Sequence, residues 1–106
     1  MTHAPVPLSQ LLTALWGEVD ILEQRGEMSC PIIGIADDSR TVTGGSLFVA
    51  VTGERVDGHE FVERAIQAGA VAVVAQTPVP SGRLPFVRVN DSRKALGFLG
   101  SRFYRD

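Results

Sequence analysis

The sequence predicts an α/β domain: a small, three-layer-like unit in which a mainly parallel sheet is flanked by helices. Short apolar runs alternate along the chain with segments of helical period, as in folds built from strand–helix–strand units. The run 70–75, "AVAVVA", is apolar on both faces, which is typical of a strand inside a parallel sheet. With 106 residues and 44% hydrophobic content, the chain suits one domain with one core.

The first part of the chain predicts one helix and two strands. Trp16 directly follows the helix and is expected to anchor the core or its edge. Segment 18–26, "EVDILEQRG", alternates loosely and predicts a short edge strand, and segment 30–39, "CPIIGIADDS", predicts a strand with Pro31 at its start. The helix is indicated by four leucines with the spacing i, i+3, i+4, i+7: Leu8, Leu11, Leu12 and Leu15.

The middle of the chain predicts a strand over Leu47–Thr52 and then a helix over Asp57–Ala68. Asp57 is a natural N-cap, and Glu60 three residues later completes a capping-box pattern. Gly69 stands where a glycine commonly ends a helix. One face of this helix carries Phe61, Val62, Ala65 and Ile66.

The last part predicts two strands and a helix. The strand 70–75 is followed by the Pro- and Gly-rich loop 77–85, the strand 86–89 and a helix over 91–104. The apolar stripe of that helix comprises Ala95, Leu96, Leu99 and Phe103.

Composition excludes several classes of function. Ten basic and 12 acidic residues give a net charge of −2 without a basic cluster, which disfavours nucleic-acid binding. Cys30 is the only cysteine, so it forms no internal disulfide and is expected to be a small packing residue. The amino-terminal segment lacks a signal-peptide pattern and no apolar run is long enough to span a membrane, so we expect a reduced, cytoplasmic protein.

No complete catalytic or metal-binding set is present in the sequence. His3 and His59 are too few for a multi-histidine metal site. Neither a G-x-S-x-G elbow nor a G-x-x-x-x-G-K-[ST] phosphate loop occurs. We therefore predict that this chain has no catalytic residue or metal ligand and does not hydrolyse ATP by itself.

Two polar, glycine-containing loops are the candidate ligand site. In "DDSR" at 37–40, Ser39 offers a hydroxyl and Arg40 a charge for an anion, although residues of this type also serve simply as turn caps. In "TGERVDGH" at 52–59, Gly53 permits a sharp turn, and the following helix start favours an anion. Both loops are expected at one edge of the sheet, where α/β folds bind ligands. The residues alone thus indicate a small-ligand binding module, with a phosphate-bearing compound as one candidate.

A longer motif adds to this interpretation. The stretch 37–76, "DDSRTVTGGSLFVAVTGERVDGHEFVERAIQAGAVAVVAQ", resembles the pattern D-S-R-x-V-x-x-G-x-L-F-V-A-x-x-G-x-x-x-D-G-H-x-F, followed by A-I-x-x-G-A and an apolar strand. This pattern is the signature of the N-terminal domain of the Mur ligases, ATP-dependent enzymes that add amino acids to peptidoglycan precursors. The ending "RVNDSRKALGFLGSRFYRD" is most similar to the branch that adds a diamino acid to UDP-N-acetylmuramoyl-L-alanyl-D-glutamate.

The resemblance implies a substrate, cofactors and contact residues. Residues 1–106 would form the N-terminal domain, which holds the uridine diphosphate part of the substrate. ATP and Mg²⁺ would be bound by a central domain and the amino acid by a C-terminal domain, and these two domains, absent here, would be its partners. Asp37 is expected to contribute its backbone rather than its carboxylate, and Asp57 remains the expected helix cap. The substrate contacts implied by motif position are Asp37, Ser39, Arg40, Glu54, Arg55 and Val56.

Two alternatives remain open from the sequence. The ligase that adds D-alanyl-D-alanine shares the D-S-R and D-G-H features, although the "FY" ending argues against it. A free-standing, non-catalytic nucleotide-binding module is the other. A reading frame that continues into a phosphate loop would exclude that second alternative.

Overall fold

The computed structural model describes residues 4–52 and 57–105. Its strands are β1 (Val6–Pro7), β2 (Ile21–Arg25), β3 (Pro31–Ile32), β4 (Gly34–Ala36), β5 (Ser46–Val49), β6 (Ala72–Ala75) and β7 (Phe86–Val89). Its α-helices are α1 (Leu8–Leu12), α2 (Val62–Gln67) and α3 (Ser92–Arg105), and its 3-10 turns span Thr13–Leu15, Ser39–Thr41 and Gly58–Phe61.

The main sheet has five strands in the order β2-β7-β6-β5-β4. Strands β4, β5, β6 and β7 are parallel, and β2 runs antiparallel to β7 at one edge. The predicted α/β class with a mainly parallel sheet is confirmed, and so is the edge strand within 18–26. A separate pair, β1 and β3, is antiparallel.

Helices cover both faces of this sheet. Side chains along each strand point alternately to the two faces, and on each face they form an apolar cluster with the helices there. Leu47 and Val49 of β5 pack with α1 and α3, whereas Phe48 packs with α2. The two clusters together bury more than two dozen hydrophobic side chains, which provides the chain with a core of its own. Among the described residues, no helix is both long and apolar enough to cross a membrane.

Trp16 is not the anchor that its position predicted, because its side chain is 73% exposed. The helix tightens into a 3-10 turn after Leu12, and Leu15 fills the core at its end. Trp16 then adopts an extended conformation (φ −61°, ψ 125°) ahead of the turn at Gly17 (φ 79°). The four leucines themselves are buried as predicted.

The strand predicted over 30–39 is two strands in different sheets. Pro31–Ile32 pairs with β1, and Gly34–Ala36 pairs with β5. Between them the backbone N–H of Ile33 donates to the Gly45 carbonyl at 3.0 Å. This hydrogen bond holds the chain at the point where it passes from one sheet to the other.

The helix predicted from Asp57 begins as a 3-10 turn and becomes α-helical only at Val62. Asp57 is the N-cap as expected, but its carboxylate accepts from the backbone N–H of His59 rather than that of Glu60. The tighter 3-10 geometry brings the N–H two residues on, not three, to the cap. Gly69 ends α2 with φ +118°, which confirms its predicted role.

Candidate functional site

A cleft of ≈ 610 Å³ opens at the carboxyl edge of β4 and β5. The chain leaves β4 here through the first polar loop and β5 through residues 50–52, and α2 and α3 approach from opposite faces. In parallel α/β sheets this edge is where ligands usually bind. The described residues that line it are Asp37, Asp38, Ser39, Arg40, Val51, Gly58, Phe61, Arg64 and Arg93.

The first wall follows β4 and is organised by Asp38. Its carboxylate caps the 3-10 turn by accepting from the backbone N–H of Arg40 at 2.9 Å, and it also accepts from Nε and Nη2 of the same arginine at 3.1 and 2.8 Å. The side-chain hydrogen bonds from Arg40, supported by its backbone N–H, lower the pKa of Asp38 to about 2. The positive charge of Arg40 is therefore largely balanced within this turn.

Ser39 and Asp37 complete this wall. Ser39 lines the cleft, and within residues 4–52 and 57–105 its hydroxyl has no hydrogen-bond partner. Asp37 is exposed at the rim. The sequence-predicted residues Asp37, Ser39 and Arg40 are thus brought together.

The second wall comes from the end of β5 and the turn that begins α2. Gly58 donates its backbone N–H to the Val51 carbonyl at 2.9 Å. A Cβ at Gly58 would lie 2.7 Å from the Val51 nitrogen and 2.8 Å from its oxygen, so only glycine allows this approach. Thr52 and Asp57 form a bridge across the base of the second loop. The predicted contacts Glu54, Arg55 and Val56, together with Gly53, lie outside the described residues.

Two further arginines supply positive charge that Asp38 does not neutralise. The Arg64 guanidinium carbon lies 5.5 Å from the centre of the Phe61 ring, a cation–π arrangement. Arg93, in the first turn of α3, donates from Nη2 to the Thr52 carbonyl at 2.9 Å. A neutral acceptor leaves the Arg93 charge intact, so this end of the cleft suits an anion.

Sequence reasoning missed Phe61, Arg64 and Arg93 as part of the site. The sequence places Phe61 on the apolar face of the predicted helix, and in the structure its partly buried side chain also lines the cleft. Arg93 belongs to the second "DSR" of the sequence, at 91–93, a repeat of the motif in the first loop that could have identified it. Nothing local to Arg64 indicates its location.

A chain of hydrogen bonds lies directly behind the second wall. His59 Nδ1 and Asp57 Oδ1 are 2.6 Å apart, and the backbone N–H of Gln76 donates to His59 Nε2 at 3.0 Å. The Gln76 side-chain oxygen accepts from both the N–H and the hydroxyl of Ser92, at 2.8 and 3.1 Å. The hydrogen bond from the backbone N–H of His59 is the largest of the effects that lower the pKa of Asp57.

These residues do not fit an ATP–Mg²⁺ site. The 106 residues contain no phosphate loop, and within the described ranges no three His, Cys, Asp or Glu side chains converge as metal ligands. His3 lies outside the described residues. The chemistry that this chain offers is recognition of a polar, anionic ligand by arginine, serine and backbone groups.

Known proteins share both the sequence and the architecture of this chain. A profile described as "Mur ligase family, catalytic domain" matches residues 31–104. The UDP-N-acetylmuramoyl-L-alanyl-D-glutamate--2,6-diaminopimelate ligase of Parabacteroides distasonis is 47% identical over 98 residues, covering 90% of this chain and 20% of the relative. The ligase of the same name from Geobacillus thermodenitrificans is 51% identical over 73 residues, covering 69% and 15%.

Solved structures of a second ligase are also similar. A crystal structure of MurF from Acinetobacter baumannii superposes with a TM-score of 0.72 and 31% identity over 96% of this chain, which is 22% of that protein. MurF from Thermotoga maritima, in complex with ADP, gives a TM-score of 0.53 and 38% identity over 61% of this chain and 15% of its own. The chain thus spans about a fifth of the length of the relatives it matches.

Proposed function

The chain belongs to the Mur ligase family, and we propose that it binds the uridine diphosphate part of UDP-N-acetylmuramoyl-L-alanyl-D-glutamate. The proposed enzyme is the ATP-dependent ligase of peptidoglycan precursor synthesis that joins a diamino acid to the D-glutamyl carboxyl group. In it these residues would be the N-terminal domain, and central and C-terminal domains would supply ATP, Mg²⁺ and the amino acid. The names of the curated relatives support this choice of substrate.

The observation that carries the proposal is the cleft at the carboxyl edge of β4 and β5. Arg64 and Arg93 offer charge-assisted hydrogen bonds to a diphosphate, and the Ser39 hydroxyl offers another donor. Val51 and the Phe61 ring provide an apolar wall for the base and ribose. The negative charge of Asp37 at the rim disfavours a phosphate beside it, which directs the diphosphate towards the arginines of α2 and α3.

A titration with UDP followed by amide NMR shifts tests this function, with ADP as the matched nucleotide. We expect UDP to shift the amides of Ser39, Arg40 and residues 54–56, and ADP to do so more weakly. Binding by the 106 residues alone is expected to be weak, since immobilising the ligand costs several kcal/mol and the rest of the substrate has no partner.

Ser39→Ala is expected to weaken UDP binding by about 1.5–3 kcal/mol, or roughly tenfold or more, through loss of one hydrogen bond to a charged group. Ser29→Ala is the matched control, because Ser29 is exposed and bonded to Glu27 outside the cleft. Equal binding of UDP and ADP, or equal effects of the two substitutions, would refute the proposed site or its specificity.

The D-alanyl-D-alanine-adding ligase remains a second candidate because the similar solved structures are MurF proteins. Both ligases use UDP-linked peptides, so the cleft does not separate them. The gene that encodes this chain decides the matter if its full-length product is assayed with ATP. Turnover of the UDP-linked dipeptide with 2,6-diaminopimelate supports the first candidate, whereas turnover of the tripeptide with D-alanyl-D-alanine supports the second.

A further inference from the structure

Six residues from three parts of the chain form a closed series of contacts that we term the His59 circuit: Thr52, Asp57, His59, Gln76, Ser92 and Arg93. Asp57 pairs with Thr52 across the second loop and with the ring of His59. His59 is joined to Gln76 and Gln76 to Ser92, and Arg93 returns to the Thr52 carbonyl. The circuit joins the end of β5, the turn that begins α2 and the amino end of α3.

The two ring nitrogens of His59 have different tasks. A backbone N–H can only donate, so the bond from Gln76 requires an unprotonated Nε2. Nδ1 then carries the proton and donates it to Asp57 at 2.6 Å. The side chain is only 9% exposed, and the neutral ring is therefore fixed at both ends in one tautomer and one orientation.

Gln76 transmits this arrangement to α3. It follows β6, and its side-chain oxygen accepts from both donors of Ser92, a residue that is 0% exposed. Arg93 is the next residue, and its guanidinium donates to the backbone carbonyl of Thr52. The direction of the Arg93 side chain is consequently held by contacts to Thr52 and, through Ser92 and Gln76, to His59.

We propose that His59 is a positioning residue of the anion site: through Gln76 and Ser92 it holds the amino end of α3, so that Arg93 addresses a phosphate of a nucleoside diphosphate. This inference rests on the proposed function for the identity of the ligand. Its physical basis is preorganisation, because an arginine already held in place loses less side-chain freedom when an anion binds. Neither Asn nor Gln replaces His59, since each reproduces only one of its two hydrogen bonds.

The positioning itself is measurable without a ligand. In ¹⁵N-labelled protein we expect a proton on His59 Nδ1 and a scalar coupling between the Gln76 amide nitrogen and His59 Nε2 across their hydrogen bond. We further expect the Nε–H of Arg93 to be ordered in the wild type and mobile in His59→Phe, which retains the ring volume but neither bond. Arg83, an exposed residue of the loop 77–85, is the control arginine whose mobility stays the same. A proton on Nε2, or an Arg93 side chain equally mobile in both proteins, overturns the proposal.

The consequence for binding is measured by a double-mutant cycle on UDP affinity. We expect Arg93→Ala to weaken binding about tenfold in the wild type but less than about twofold in His59→Phe, since residues of one network do not act additively. Arg83→Ala should have no effect in either background. Independent effects of Arg93→Ala and His59→Phe would show that His59 is merely structural. Absence of UDP binding by the wild type would instead refute the proposed function, and the mobility of Arg93 would still decide the positioning role.

Discussion

Replacing Gly58 with alanine tests the close approach that shapes the cleft. The added Cβ would lie 2.7 and 2.8 Å from the backbone nitrogen and oxygen of Val51. Backbone atoms cannot rotate away as a flexible side chain can. The turn and the end of β5 would have to separate by about 0.6–0.7 Å to restore ordinary packing distances.

That separation removes the hydrogen bond from Gly58 to the Val51 carbonyl, now 2.9 Å long, and strains a buried contact. Overpacking and loss of a buried hydrogen bond each cost about 1–3 kcal/mol. Because separation relieves the overpacking at the expense of the hydrogen bond, the two costs are alternatives, and we expect Gly58→Ala to lower the free energy of unfolding by about 1–3 kcal/mol. In a domain of this size each 1 kcal/mol lowers Tm by about 4–8 °C.

Gly97→Ala is the matched control for this substitution. Gly97 is exposed within α3, and nothing lies within 4 Å of its added Cβ. Helix propensity then predicts a stabilisation of about 0.5–1 kcal/mol. Thermal and urea unfolding of both variants should give shifts of opposite sign. A Gly58→Ala protein as stable as the wild type would contradict the packing described for the second wall.

Three further substitutions test other parts of the structure. Phe48→Ala removes a side chain with 0% exposure from the centre of the sheet and should lower the free energy of unfolding, measured with urea, by about 3–5 kcal/mol. A loss of stability no larger than that caused by Leu22→Ala, at a half-exposed residue, would contradict the burial of Phe48 in the core. An NMR titration that follows the Asp38 side-chain carboxyl carbon should give a pKa of about 2, so the ion pair with Arg40 stabilises the fold fully above pH 3.8 and loses this effect as pH falls through about 2. Arg40→Ala should return the pKa of Asp38 towards 3.8, and an unchanged pKa would exclude Arg40 as the cause of the shift. Asp57→Ala should lower stability by about 0.5–2 kcal/mol through loss of the cap, and an unchanged melt would show that the His59 N–H does not need it.

Local patterns in the sequence were sufficient to predict most of the helices and strands. The stripe of α3 and the two-sided apolar run of β6 reflect periodicities that the packing preserves, since Ala95 and Leu99 face the core and Ala72–Ala75 is buried throughout. Gly69 was identifiable because ending a helix with positive φ is a local requirement. These features depend on neighbours in sequence.

The errors concern features that depend on distant residues. The break at Ile33 exists because Gly45 provides a carbonyl for it, and an apolar run does not reveal that partner. The sequence predicts those lining residues, such as Ser39, that lie in a loop directly after a strand. Arg64 and Arg93 join it only because helices on opposite faces of the sheet meet at one edge, which is a consequence of the topology.

Location of the bound nucleotide tests the central claim most directly. Intermolecular nuclear Overhauser effects should be measured between the uracil protons of UDP and the labelled protein. The account predicts contacts from the uracil protons to the methyl groups of Val51 and the ring of Phe61, with none to Trp16. Contacts confined to Trp16 or to the loop 77–85 would contradict the assignment of the cleft as the uridine diphosphate site.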